Sequence, residues 1–314
     1  MADKPSILVV GSINMDLVVR SPNMPAPSET VLGSNFQTFP GGKGANQAVS
    51  IARLGGNCRM IGCVGQDAFG EQLLANLRNE GVDCQGVSVT PDAPTGVAMI
   101  IVDSKGENAI VVASGANFCA TADDNVYPNE DLFEEAAVVV LQLELPLPTV
   151  RAAIELARRH KCKIILDPAP APKAMPKELC MVDIITPNIV ECECITGKKA
   201  GLEERIDKQI ASELIALGAS VAVLKLGSRG SLVVMADGHF YTVPAYKVHV
   251  VDTTAAGDAF TGALAVCVAR GDRLHQAARF ANAAGALACA KFGAQSAMPT
   301  ADEVRILMTD QPIS

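Results

Sequence analysis

The sequence predicts an α/β fold: a three-layer α/β/α sandwich with a mostly parallel central sheet and a small β-sheet lid. Three observations predict it. From residue 136 onward, short apolar runs alternate with helix-length segments, the order that builds a parallel sheet covered on both faces. Two β-rich stretches, 14–40 and 95–114, break that alternation and read as one small sheet over the C-terminal strand edges, where open α/β sheets bind ligands. Hydrophobic residues make up 49% of the 314, enough for a sizeable core.

The elements follow in order. Residues 7–12 are an apolar run ending in small residues, the mark of a buried strand. Residues 16–39 hold Pro22, Pro25 and Pro27, with Pro40 just beyond, and carry two β-like pieces, 17–20 and 30–36. A helix over 43–54 follows the Gly41-Gly42 turn, then a strand over 58–64 and a helix over 70–79. Residues 95–114 read as strand-turn-strand around Asp103-Ser104-Lys105-Gly106. The regular part then runs strand 137–141, helix 147–160, strands 163–166 and 182–186, helix 203–217 and strand 220–226. A hairpin turns through Ala236-Asp237-Gly238, and an extended segment over 246–251 leads into helices over 257–270 and 273–290. A last short helix spans 301–308. The core is thus 1–13, 41–94 and 115–314, and the lid is 14–40 and 95–114.

Composition removes several classes. Charged residues are only 19%, which argues against long disordered tails. The net charge is −8 and no Lys/Arg cluster marks a nucleic-acid surface, so no nucleic-acid partner is expected. The 10 cysteines are scattered, mostly in apolar runs, without C-x-x-C spacing; they read as buried free thiols rather than a zinc site. The first five residues carry no signal-type stretch, and no run reaches the ~18 apolar residues of a membrane span, so no membrane is expected either. The expectation is a reduced, soluble, cytoplasmic protein. His160, His239, His249 and His275 fall outside every motif and read as surface or packing residues.

Two segments carry chemistry. In Asp252-Thr253-Thr254-Ala255-Ala256-Gly257-Asp258, small residues at a helix mouth let backbone amides approach an anion, and the helix dipole favours negative charge there. A carboxylate in that company makes sense if Asp258 sits beside a phosphate and takes a proton from the group attacking it. In Gly41-Gly42-Lys43-Gly44-Ala45-Asn46-Gln47-Ala48, three glycines and a lysine open a helix, and Asn46 and Gln47 sit in an otherwise apolar first turn, where polar groups need partners. Neither segment has P-loop spacing, and no strand-turn-helix junction carries G-x-G-x-x-G.

Taken together, and with Gly11-Ser12-Ile13-Asn14-Met15-Asp16, Gln142-Leu143-Glu144, Thr186-Pro187-Asn188-Ile189-Val190-Glu191 and Leu226-Gly227-Ser228-Arg229-Gly230, these segments resemble the signatures of the ribokinase-type carbohydrate kinases. The resemblance runs from about residue 7 to 299, with matching order and spacing. It implies ATP-dependent phosphorylation of D-ribose at O5, giving ribose 5-phosphate and ADP, with Mg2+ accompanying ATP. It implies that Asp258 is the base and that the amides of Ala255, Ala256 and Gly257 form the anion hole. Asn14, Asp16, Gly42, Lys43, Asn46 and Glu144 match sugar contacts. Asn188, Lys225, Gly227, Ser228, Gly230, Gly257 and Asn282 fall at nucleotide positions. Asn188 and Glu191 match a pair that positions magnesium, largely through water. Asp252, Thr254 and carbonyls near Ala288 and Gly293 match the ligands of a monovalent cation, K+ by expectation. Two positions depart from the family pattern: Ala297 replaces a serine hydroxyl near the cation, and Lys225 stands where threonine is usual.

Other readings stay open. A kinase of the same fold could act on another small sugar (deoxyribose, fructose) or a nucleoside. A non-catalytic sugar-binding module would have little need of Asp258, and a nicotinamide oxidoreductase would need the missing glycine fingerprint. The family also implies a homodimer through the lid, for which Val18, Val31, Val97, Met99 and Ile101 offer an apolar face.

Overall fold

The computed structural model describes residues 5–312, so the ends of the expected core at 1–4 and 313–314 lie outside the described residues. In chain order the strands are β1 (Ser6–Val10), β2 (Asn14–Arg20), β3 (Ser34–Gly41), β4 (Asn57–Gly65), β5 (Asp83–Thr90), β6 (Gly96–Val102), β7 (Asn108–Ala113), β8 (Ala136–Leu141), β9 (Lys163–Leu166), β10 (Ile184–Ile185), β11 (Val221–Lys225), β12 (Ser231–Met235) and β13 (Phe240–Val243). The helices are α1 (Lys43–Arg53), α2 (Ala68–Asn79), α3 (Glu130–Glu134), α4 (Leu147–Arg159), α5 (Lys177–Cys180), α6 (Ile189–Thr196), α7 (Glu204–Leu217), α8 (Ala256–Ala269), α9 (Leu274–Cys289) and α10 (Ala301–Asp310).

Among the described residues, nine strands form the central sheet in the order β13-β12-β11-β10-β9-β8-β1-β4-β5. Pairing is parallel from β11 through β5, and β12 and β13 add an antiparallel edge. β1 shows why the sheet must be covered twice. Its Ile7 and Val9 face a core built with α1, α2, α8 and α9, while Leu8 and Val10 face a second core built with α4, α5 and α7. All four are almost fully buried. Each such side chain contributes roughly 1.5–3 kcal/mol relative to exposure. The ten cysteines are free, and burial pushes the Cys84 and Cys180 thiols up to about 11, which leaves them inert as nucleophiles. Among the described residues no helix is long and apolar enough to cross a membrane.

The lid is a second sheet of four strands in the order β3-β2-β6-β7. Its register corrects one expectation. Asn14, Asp16 and Val18 pair with Gly96, Ala98 and Ile100, so they share a face. Val97, Met99 and Ile101 pair with Met15, Leu17 and Val19 on the other. Successive strand residues point to opposite faces, so Val18 does not join the expected stripe with Val97, Met99 and Ile101. Val31 lies outside the strands altogether. The exposed apolar surface is instead richest on β7, where Ile110, Val111 and Val112 are all exposed.

Other differences are local. β3 starts and ends later than expected and runs through Pro40, because β3 is an edge strand and tolerates the missing N–H. β10 has only two residues, since Pro187 follows closely. β5 was hidden by its Gly86 and polar residues, and it too is an edge. The 246–251 segment pairs with no strand; the amides of Val251 and Asp252 both donate to Cys289 O at the end of α9.

Candidate active site

Five neighbouring parallel strands end in a row of polar residues. Ser12 follows β1, Gln142 follows β8, Asp167 follows β9, Thr186 follows β10, and Lys225 is the last residue of β11. All are buried, and each needs a partner. α1 and α8 supply those partners by laying their N-termini across this edge.

α1 reaches the edge because it begins on glycine. Gly42, with φ at 89°, is its N-cap, and a Cβ on Gly44 would come within 2.6 Å of Gly11 C and Ser12 N. The Ala45 amide donates to Ser12 O at 2.9 Å. Glu144 draws the same helix start inward: its Oε2 accepts from Ser12 Oγ at 2.5 Å and from the Lys43 amide at 3.1 Å. A carboxylate at a helix N-terminus also complements the dipole. Asn46 and Gln47, the polar pair of the first turn, then point into the core.

Both find Asp258. Asn46 Nδ2 donates to Asp258 Oδ2 at 2.9 Å, and Gln47 Nε2 donates to Oδ1 at 3.0 Å. Gln47 Nε2 also donates to Asp167 Oδ2 at 3.0 Å, and Gln142 Nε2 donates to Gln47 Oε1 at 2.6 Å. Thr261 Oγ1 adds a bond to Asp167 Oδ2 at 3.2 Å, and Lys225 Nζ donates to Oδ1 at 2.8 Å. Burial pushes the Asp258 carboxyl up from its ordinary range, Lys43 pulls it back, and Asp167 pushes it up again. The result is a carboxyl group with heightened appetite for a proton, held in place by two amide donors.

The mouth of α8 has an unusual start. Ala255, its N-cap, is held left-handed at φ 56°, a conformation that costs a non-glycine residue about 1–2 kcal/mol. Local strain of this kind concentrates at functional sites. The Ala256 amide is engaged with Thr253 O at 3.3 Å, a long bond. The first-turn amides of a helix have no intrahelical acceptor, so this end remains anion-attracting.

Sugar-side candidates cluster at the lid hinge. Asn14 opens β2 and is buried; Asn117 Nδ2 donates to its Oδ1 at 2.7 Å, which fixes the orientation of the Asn14 amide. Asp16 is pushed up to about 7 by burial, then by Glu144 and Asp258. Lys43 moves above its ordinary range: burial opposes this, but Asp258, Asp167 and Glu144 outweigh it.

At the positions expected for the nucleotide and magnesium, Asn188 and Glu191 cap each other. Asn188 Oδ1 accepts from the Glu191 amide at 2.9 Å, and Glu191 accepts from the Asn188 amide and Nδ2, both at 2.7 Å. Gly227 and Gly230 hold positive φ around a one-turn helix, with Ser228 exposed and Arg229 tied to Asp207 at 2.9 Å. Asn282 Nδ2 is committed to Val243 O at 3.0 Å and Pro244 O at 3.2 Å, so its donors brace the end of β13.

At the cation positions, Asp252 Oδ1 accepts from the Thr254 amide at 2.9 Å and Thr254 Oγ1 at 2.6 Å, and Oδ2 accepts from the Gly293 amide at 3.0 Å. Ala288 O accepts a 3.4 Å bond from the Lys291 amide. Ser296 Oγ donates back to Phe292 O at 3.0 Å rather than reaching toward Asp252. The donors are carboxylate, hydroxyl and carbonyl oxygens, which suit a hard cation. Phe292 also meets the lid, edge-on to Phe39 at 5.9 Å and beneath the Arg20 guanidinium at 5.8 Å.

Sequence reasoning missed Asp167 and Asn117. A signal existed for the first, since Asp167 directly follows an apolar strand, at the edge where such sheets bind ligands. Asn117 lies in short helical turns that carry no periodicity.

The model of the pfkB family carbohydrate kinases matches residues 4–301. A ribokinase of Haemophilus influenzae is 37% identical over 300 residues, covering 96% of this chain and 97% of that one. A deoxyribokinase of Salmonella typhimurium is 34% identical over 298 residues, covering 95% and 96%. The solved structure of Arabidopsis thaliana ribokinase complexed with ribose and ATP superposes with a TM-score of 0.91 at 32% identity, covering 98% and 99%. By its matched length, its α/β core with a lid and its converging glycine segments, the chain belongs to the pfkB family of carbohydrate kinases.

Proposed function

We propose that this protein transfers the γ-phosphoryl group of MgATP to O5 of D-ribose, giving ribose 5-phosphate and ADP. The observation that carries the reading is Asp258: a buried carboxylate with raised proton affinity at the mouth of a helix that attracts anions. Relatives named ribokinase, and a similar structure holding ribose and ATP, support the choice of substrates.

In this mechanism Asp258 takes the O5 proton as that oxygen attacks phosphorus, and ADP departs with the broken bond's electrons. Asn14, Asp16, Lys43, Asn46 and Glu144, with the Gly42 backbone, hold the sugar. The Ala255–Gly257 turn receives the transferring group, and Gly227, Ser228 and Gly230 leave room for the nucleotide beside Asn188 and Asn282. The Asn188–Glu191 pair fits magnesium held through water, and magnesium supplies charge neutralisation on the phosphates. Asp252, Thr254 and the carbonyls of Ala288 and Gly293 fit K+. A monovalent cation series at fixed ionic strength tests this; equal rates in K+ and in a bulky organic cation would remove the site.

The match to a deoxyribokinase favours one second reading, with deoxyribose as the acceptor. A coupled ADP-release assay over ribose, deoxyribose, fructose and adenosine decides. We expect the highest kcat/KM with ribose; a higher value with any other acceptor replaces the substrate assignment.

Asp16 makes sugar binding depend on pH. An ionised carboxylate accepts from sugar hydroxyls, so ribose affinity without nucleotide weakens by up to about tenfold per unit below pH ~7, the value to which Asp16 is pushed up. In the sugar-free protein the sign for stability is opposite. Between pH ~4 and ~7 the folded state holds a proton that the unfolded chain has lost, so Asp16 lowers stability as pH rises through that window. Calorimetry with ribose from pH 5.5 to 8.5 should show the slope, and Asp16→Asn should flatten it. A pH-independent wild-type affinity would reject this role.

A lid dimer completes the reading. Val111 of β7 pairs with Met99 on one face of the lid, and both are exposed, which gives a small sheet an apolar surface to cover. Light scattering at micromolar concentration should return twice the chain mass.

A further inference from the structure

Lys225 stands where the family resemblance leads one to expect threonine, and the structure gives the lysine a location that a purely structural ion pair does not require. Among the described residues its Nζ donates one hydrogen bond, to Asp167 Oδ1 at 2.8 Å. An ammonium has three donors, so two are left over in a buried position, where unused donors are costly. The pair is also lopsided. The Asp167 side chain is 2% exposed and the Lys225 side chain 10%, so the open side is the lysine's. That side faces the anion-attracting turn: a Cβ on Gly257 would lie 3.3 Å from Lys225 Nζ, and Gly257 has none.

Charge points the same way. Asp16, Glu144, Asp167, Glu191 and Asp258 bring five carboxylates to the cleft, against the ammonium groups of Lys43 and Lys225. Despite burial, Lys43 is held charged by Asp258, Asp167, Glu144 and Glu191. A nucleoside triphosphate adds further negative charge, and of the side-chain cations on the expected nucleotide side Arg229 is tied to Asp207 at 2.9 Å, whereas Lys225 lies beside Gly257. Burial works against its charge, but Asp167 and Glu191 more than offset this and hold the ammonium protonated above its ordinary range.

We propose that Lys225 is a catalytic residue of this kinase: its two free N–H donors bind the β- and γ-phosphate oxygens of the nucleotide and stabilise the charge that develops there during transfer. Asp167 is then a positioning residue. One of its oxygens aims the ammonium, and the other accepts from Gln47, which also holds the base Asp258. The phosphate cation and the proton acceptor are thereby set by one buried carboxylate.

The inference rests on the kinase reading, so its test separates the two. Removing Lys225 alone strands the Asp167 charge and destabilises the fold. The informative variant is therefore the double Asp167→Asn/Lys225→Met, beside Lys225→Thr and Lys225→Arg. Nucleotide binding is measured without sugar, using AMP-PNP and AMP with magnesium. Losing one preorganised donor to a phosphoryl group costs roughly 10²–10³-fold in kcat. We expect that loss in the double variant and in Lys225→Thr, with sugar KM within threefold, partial rescue in Lys225→Arg, and at least tenfold weaker AMP-PNP binding with AMP binding unchanged. If the double variant melts like the wild type and keeps kcat within threefold, the pair is structural and the proposal fails. Equal losses for AMP-PNP and AMP also overturn it. If the wild type binds AMP-PNP but phosphorylates none of the four acceptors, the substrate reading fails while the nucleotide comparison still decides the role of Lys225.

Discussion

Replacing Asp258 by Asn lowers kcat by roughly 10²–10⁴-fold, the usual contribution of a positioned general base. The fold is expected to survive unchanged, for a reason visible in the amides around it. Both Asp258 oxygens accept from amide donors, so an introduced amide sets an NH2 group against one of them. Gln47 cannot turn round, because its Oε1 takes a 2.6 Å bond from Gln142. Asn46 can: its Oδ1 is buried and has no partner among the described residues. A flip of Asn46 gives the new NH2 an acceptor and breaks nothing else. The substitution also removes a buried carboxylate whose ionised form burial disfavours. Thermal unfolding should therefore show a midpoint equal to or above wild type, together with collapsed turnover. Retention of more than a tenth of wild-type kcat, in a variant that melts normally, removes Asp258 from the role of base.

Gly44→Ala should act through the opposite balance, with stability falling alongside activity. The added Cβ would sit 2.6 Å from Gly11 C and Ser12 N, and backbone cannot rotate away as a side chain can. α1 must lift from the end of β1, stretching the Ala45 N to Ser12 O bond and the 3.3 Å bond from the Gly44 amide to Ser12 Oγ. Overpacking of this kind costs about 3 kcal/mol, at the upper end of what core insertions usually cost. The unfolding midpoint should fall by roughly 5 °C or more. The same displacement carries Lys43 and Asn46 away from Asp258, and a misplacement near 1 Å can cost about 10²-fold in rate. A variant with wild-type midpoint and kcat would mean that α1 does not need this close approach.

The fold class was legible because strand–helix alternation after residue 136 is strong and because β1 and β8 are apolar on both faces. The edges were not. β5 and β3 each face one neighbour, so their sequences mix polar residues, glycine and proline without penalty. Side-chain facing in the lid was also illegible, since Val18 and Val97 look alike until the register between β2 and β6 is known. In the site, the two glycine segments announced themselves through residue types that only a close backbone approach needs. What joins them did not. Asp167 is a single acid before a proline, and its partners Lys225, Gln47 and Thr261 come from three distant elements. Only the strand order brings them together, and strand order is a property of the whole chain.

Phe292 gives the lid a mechanical neighbour with a second duty. It touches Phe39 and Arg20 of the lid, and the next residue, Gly293, holds Asp252 by its amide. Lid and loop are thus joined through two consecutive residues. If the lid has an open and a closed position, a ligand that orders this loop shifts the balance between them only by as much as it prefers one of the two. Linkage then returns the same factor: whatever fills the closed cleft tightens the hold on that ligand equally.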